Sequence, residues 1–192
     1  MCGLVAAAGL RKDARVTDTG TALSALFAAG GDIVEILNTH RSAFDRALGL
    51  RFTRVDGDVV EAEVPVTSTL LQPYGLVHGG VYAAIVETLA STGAALAAMA
   101  RGQTTVGLEN ATSFLRGTRD GKLRARGTPL HRGSRTQVWA VDIRDEEGRE
   151  VASGRVRMLC LDRGASVAGE TVAIKDQGAS GPIKASRPGD GS

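Results

Sequence analysis

The apolar positions of this chain change phase several times, and each change marks an element. Ile33, Ile36, Leu37, Phe44 and Leu48 recur three to four residues apart or at multiples of that spacing, as they would along one face of a helix. Asp32, with Glu35 three residues on, is a capping pair at its start, and Gly49 can close it. The pattern then turns to alternation. LRFTRV and DVVEAEVPV read as two strands joined at Asp56-Gly57, a hairpin signal. A loop carrying Pro73 and Gly75 leads to His78-Gly79-Gly80 and an apolar run over residues 81–100, which predicts a long helix ending near Gly102. Beyond it TVGLENATSFL, KLRARGTPLH, TQVWAVDIR and VASGRVRMLCL alternate in part, with turns at Asp120-Gly121, Arg132-Gly133 and Glu147-Gly148 between them.

The predicted order is helix, two strands, long helix, four strands, with no internal repeat. It implies an α+β fold in which an antiparallel sheet of about six strands wraps one central helix. The alanines of that helix suit the arrangement, because small side chains let a curved sheet approach closely. Residues 1–31 have weak periodicity, and residues 164–192 are rich in Gly, Ser, Ala and Lys and end RPGDGS. Both read as flexible extensions of a domain over 32–163.

Composition narrows the function classes. The 192 residues are 43% hydrophobic and 23% charged with a formal net charge of +2, a balance that argues against a disordered chain and a general nucleic-acid binder. Cys2 and Cys160 have neither metal-ligand spacing nor a disulfide framework, so the expected compartment is the reducing cytoplasm. The opening MCGLVAAAGL is too short to span a bilayer, and its basic residues follow it, unlike those of a signal peptide. Glu87, Thr88, Ser91 and Thr92 interrupt the apolar run, which therefore reads as a core helix rather than a membrane span.

Glu87 is the residue that needs explaining. An unpaired carboxylate in an apolar setting costs several kcal/mol or takes up a proton. The plainer reading is an exposed acid on a helix surface. Ser91, one turn on, shares its face and could hydrogen-bond it; an apolar setting with one hydroxyl partner is how a carboxylate becomes a base or nucleophile. Gly79-Gly80 opens the helix, where free N–H groups and the dipole would polarise a carbonyl oxygen, although the pair could equally be a flexible entry. His78 could donate to a substrate or simply cap the loop, and Gln72 could be a solvated loop residue.

On one ideal helix, nine residues put His78 and Glu87 on opposite faces and roughly 13 Å apart. They can serve a single reacting group only if two chains pair with antiparallel central helices, each giving the Gly79 end to the other's Glu87. That implies a homodimer or homotetramer with sites between subunits. From Arg116 to Arg135 there are seven Lys or Arg residues and one acid. Lys122, Arg124 and Arg126 alternate and read as a solvated sheet face. Arg116, Arg132, Ser134 and Arg135 lie at strand ends and turns where phosphates could be held. Nucleic acid is disfavoured, since aromatic residues are only 4% and none interleaves the patch.

The segment GLVHGGVYAAIVETLAS resembles the signature of hotdog-fold acyl-CoA thioesterases, closest to the 4-hydroxybenzoyl-CoA type, which carries Glu on the central helix where phenylacetate-pathway relatives usually carry Asp. The resemblance covers about residues 45–162. It implies that Glu87 is the catalytic carboxylate, that the Gly79 N–H polarises the thioester carbonyl, and that His78, Gln72 and Ser91 support them. Ser91 stands where the family has a threonine. It further implies that Arg116, Ser134 and Arg135 hold the nucleotide phosphates of coenzyme A, and that no metal or cofactor is needed. The rival readings are a hydratase or dehydratase on the same fold and a non-catalytic acyl-CoA-binding protein.

Overall fold

The computed structural model describes residues 31–167 and 169–172, so residues 1–30 of the expected N-terminal extension and 168 and 173–192 of the expected tail lie outside the described residues. The first helical segment is two helices, α1 (Ile33–Thr39) and α2 (Ala43–Leu48), where the sequence pattern predicts one. Asp32 caps α1 by accepting from the Val34 and Glu35 amides. The break comes from Ser42, whose hydroxyl accepts from the Asp45 amide at 3.0 Å and starts a second helix. A serine that can satisfy a free N–H competes with helix continuation. Asp45 also accepts from Thr88 Oγ1 at 2.9 Å, which pins α2 to the long helix. Gly49, at φ 72°, ends α2 as expected.

A six-stranded antiparallel sheet follows the predicted segments closely: β1 (Arg51–Val55), β2 (Val60–Pro65), β3 (Gln103–Phe114), β4 (Lys122–Arg132), β5 (Thr136–Arg144) and β6 (Glu150–Asp162). The spatial order is β1-β2-β4-β5-β6-β3. Between β2 and β3 the chain forms a 3₁₀ turn at Ser68–Leu70 and the central helix α3 (Gly79–Met99), which packs on β2 to β6. After residue 163, where the sequence pattern predicts only a tail, β7 (Ser166–Val167) and β8 (Glu170–Thr171) pair as a short ladder. Gly169 takes φ 86° in the turn between them.

The core lies between the helix and the sheet's inner face, where Ile85, Val86 and Leu89 of α3 meet Val141 and Ile143 of β5 and Val156 of β6, all fully buried. The role of small residues on α3 is visible at Gly93. A Cβ there would stand 2.4 Å from the Trp139 ring. Trp139 Nε1 donates to Gln137 Oε1, and Gln137 Nε2 donates to the Ala94 carbonyl, so this buried polar pair is satisfied. On the outer face Lys122 and Arg124 pair with Glu63, and Arg126 pairs with Glu61. These three cations are a solvated, cross-paired sheet face, as the alternation suggests.

The two edges of the sheet differ. Beside β1, Asn38 of α1 exchanges hydrogen bonds with the Phe52 amide and carbonyl at 3.0 and 2.9 Å, as a neighbouring strand would. β3 has no strand partner on its outer side among the described residues. It is twelve residues long, contains no Pro, Lys or Arg, and exposes Leu108 and Phe114. Long bare edges of this kind are pairing sites.

Candidate active site

Loop 71–78 sets up the start of α3. The Gln72 amide donates to the Leu76 carbonyl and the Gly75 amide to the Gln72 carbonyl, both at 2.8 Å, with Gly75 at φ 70°. The Val77 amide donates to the Thr118 carbonyl, and the His78 amide to the Leu70 carbonyl. His78 then caps the helix: its Nδ1 accepts from the Gly80 amide at 2.9 Å, which requires the tautomer protonated at Nε2. His78 thus takes up the capping role, through Nδ1 alone. The Val81 amide is taken by the His78 carbonyl. The Gly79 N–H is left without a partner among the described residues, at the positive end of the helix dipole.

That N–H opens onto a cleft of about 240 Å³ lined by Gln72, Leu76, Gly79, Tyr82, Phe114 and Arg116. The Phe114 ring lies so close to Gly79 that a Cβ there would meet it at 2.8 Å. Any side chain at 79 would have to displace the Phe114 ring from this wall of the cleft. Beneath the cleft, the Tyr82 and Thr118 hydroxyls are buried without meeting in a hydrogen bond. Burial pushes the Tyr82 phenol above its ordinary pKa, Thr118 opposes this in part, and the Asp145 charge adds a smaller upward push.

Glu87 lies two turns along α3, half-buried, and faces β3. Ser91 Oγ donates to its Oε1 at 3.1 Å, the contact that the i, i+4 spacing suggests. Asn110 Nδ2 donates to its Oε2 at 2.9 Å. A Cβ on Gly107 would come within 2.8 Å of Oε1, so the carboxylate rests against a glycine. The sequence pattern does not single out Asn110 or Gly107. Their only signal is a polar and a small residue inside an otherwise strand-like run, TVGLENATSFL.

Both halves of the site therefore lie along the inner face of β3. Glu87 sits at Gly107 to Asn110, and Gly79 sits at Phe114. Within one chain they remain about 12 Å apart along the helix. The phosphate-binding candidates divide in the same way. Arg116 is at the Phe114 end of β3, whereas Ser134 and Arg135 are at the other, with the Ser134 carbonyl accepting from Gln103 Nε2 at 3.3 Å. A strand of this length separates them by roughly 35 Å. One chain brings Gln72, Gly79 and Arg116 together, and separately Glu87 and Ser91. Among the described residues, no cluster of three His, Cys, Asp or Glu is placed to hold a metal.

The family model described as Thioesterase superfamily matches residues 74–152, which span α3, strands β3 to β5 and the start of β6. The chain is 40% identical over 114 residues to the 1,4-dihydroxy-2-naphthoyl-CoA hydrolase of Escherichia coli, covering 59% of this chain and 83% of that one. This chain belongs to the thioesterase superfamily. It is also 40% identical over 109 residues to the proofreading thioesterase EntH of Cronobacter turicensis, covering 57% of this chain and 79% of that one. The crystal structure of the thioesterase HI1161 from Haemophilus influenzae superposes with a TM-score of 0.65 at 34% identity, covering 69% of this chain and 92% of that one. The fold of this thioesterase is accordingly the hotdog fold, and its reaction is thioester hydrolysis.

Proposed function

We propose that this thioesterase hydrolyses acyl- or aryl-CoA thioesters in the cytoplasm, in sites built between two antiparallel copies of the chain. One copy supplies the unpartnered Gly79 N–H, with Gln72 and the Phe114 wall of the cleft. The other supplies Glu87, held by Ser91. The observation that carries this reading is the Glu87 carboxylate, tied through both oxygens and lying against the bare edge strand that also borders Gly79. A two-fold axis passing near Ala83 of α3, between Gly79 and Glu87, and pairing β3 with its copy brings each Gly79 to the other chain's Glu87. It also brings Arg116 of one copy toward Ser134 and Arg135 of the other, which can then share the phosphates of coenzyme A.

In this site the carbonyl oxygen of the thioester accepts from the Gly79 N–H, which stabilises the negative charge formed on attack. Glu87 either adds to the carbonyl carbon, breaking the C–S bond and leaving an anhydride for water to cleave, or takes a proton from the water that adds. The products of both routes are the free acid and coenzyme A, with no metal or redox cofactor in the scheme. The dihydroxynaphthoyl-CoA activity of the Escherichia coli relative makes an aryl-CoA the first substrate to test.

The test is a thiol-release screen across short, medium, long and aryl acyl-CoAs, run on wild type and Glu87→Gln. Glu87→Gln is expected to lose at least about a hundredfold in kcat with KM nearly unchanged. Turnover above a tenth of wild type in that variant rules Glu87 out as the reacting group.

A further inference from the structure

The geometry points to Asn110 as a positioning residue that fixes the Glu87 carboxylate for reaction, an inference that rests on the reading of Glu87 as the reacting group. The Asn110 side chain is held from three sides. Its Nδ2 donates to Glu87 Oε2 at 2.9 Å and to the Ala83 carbonyl at 3.1 Å, and its Oδ1 accepts from Thr112 Oγ1 at 2.6 Å. A hydroxyl on Oδ1 and two acceptors on Nδ2 leave one sensible orientation of the amide. Ser91 reaches Oε1 from the helix. The two carboxylate oxygens are thus tied from two different elements, which sets the plane of the group relative to both.

A β-bulge makes this possible. Gly107 pairs with Met158 and Glu109 with Arg157, so Leu108 is an extra residue in the ladder. With unbroken alternation from Gly107, Glu109 would face the helix. With the bulge, Glu109 faces outward and meets Arg157 at 3.5 Å, and Asn110 takes the inward place. A second carboxylate beside Glu87 would oppose its ionisation, whereas a neutral donor supports it. The groups facing Glu87 are Ser91 and the Ala83 backbone on its own helix, Gly107, Asn110 and Thr112 on β3, and Met158 beneath on β6. The neighbouring Arg155 and Arg157 of β6 point to the opposite face by alternation.

The experiment compares Asn110→Ala, Asn110→Asp and Glu87→Gln by kcat, KM, the pH dependence of kcat/KM and thermal unfolding. Asn110→Ala is expected to lower kcat about tenfold or more with KM within twofold and the midpoint near wild type. Asn110→Asp is expected to move the acid limb of kcat/KM upward by about one unit or more, because a like charge then faces Glu87. A purely structural role would leave that limb in place. If Glu87→Gln is inactive while Asn110→Ala keeps kcat within twofold and Asn110→Asp keeps the wild-type limb, the positioning role is overturned and the catalytic reading stands. If Glu87→Gln stays active, both are overturned. Should Asn110→Ala fail to fold, Thr112→Val, which removes only the orienting bond to Oδ1, carries the same test. A smaller loss in kcat at constant KM supports the role, and unchanged kcat overturns it.

Discussion

If Glu87 is the reacting group proposed above, Gly107→Ala should separate catalysis from stability in this protein. The added Cβ would stand 2.8 Å from Glu87 Oε1, and ordinary contact begins near 3.4 Å, so the oxygen has to retreat by about 0.6 Å (3.4 − 2.8). The atom in the way is the free end of a flexible side chain, and Gly107 is not in the positive-φ region. The fold therefore has little to resist. Replacing glycine at such a position tends to stabilise by about 0.4–1 kcal/mol through the unfolded chain. Catalysis is less tolerant, since a misplacement of about 1 Å can cost a hundredfold in rate. A shift of this size also stretches the 3.1 Å bond from Ser91. The expected outcome is a loss in kcat of about tenfold, with KM little changed and a melting temperature equal to wild type or higher. Thiol release under saturating acyl-CoA gives kcat, and a thermal melt on the same sample gives the stability. A variant with wild-type kcat refutes the reading that the reaction depends on how Glu87 is held against β3. A loss of rate that tracks a fall in melting temperature refutes the claim that the effect is local to the carboxylate.

Two further outcomes are expected, the first from the proposed shared site and the second from the fold. Co-refolding Glu87→Ala with Gly79→Val, each inactive alone, should restore roughly a quarter of wild-type activity, because half of the dimers are mixed and each carries one intact site. No recovery in an isolated mixed dimer would place the whole site in one chain. At the β5–β6 turn, burial opposes ionisation of Asp145, but its hydrogen bonds from Arg149 outweigh this and hold the carboxyl below the usual range. A depressed folded-state value stabilises above the unfolded pKa and loses that effect as pH falls through the folded one. Asp145→Asn should thus be less stable than wild type in denaturant melts at neutral pH. The gap should close below about pH 4; a gap constant down to pH 2 would show that the pair carries no pH-linked stability.

The elements were legible wherever their signal is local. Glycine turns at 121 and 148 delimit strands, and the Ala- and Val-rich run at 81–100 can be little other than a core helix. Glu87 stood out because its own neighbours are apolar, and Ser91 because helical spacing puts it one turn away. What escaped depends on partners distant in sequence. The Leu108 bulge is a relation between β3 and β6, so no pattern within β3 reveals that Asn110 rather than Glu109 faces the helix. Phe114 meets Gly79 across 35 residues, and nothing in either segment announces it. The break at Ser42 was missed because a serine inside an apolar helical pattern reads as surface until its hydroxyl is seen on the Asp45 amide.

The phase jump in β3 also bears on how variants of this enzyme should be designed. A library that treats residues 103–114 as a simple alternation starting from Gly107 would diversify Glu109, Ala111 and Ser113 in search of new specificity. Those positions pair with Arg157, Arg155 and Ser153 on the outer surface, away from Glu87. The positions that face the central helix skip one residue and then resume, at 107, 110, 112 and 114. Deleting Leu108 would regularise the strand without exchanging the two sets, because Glu109 would still pair with Arg157 and Asn110 with Val156.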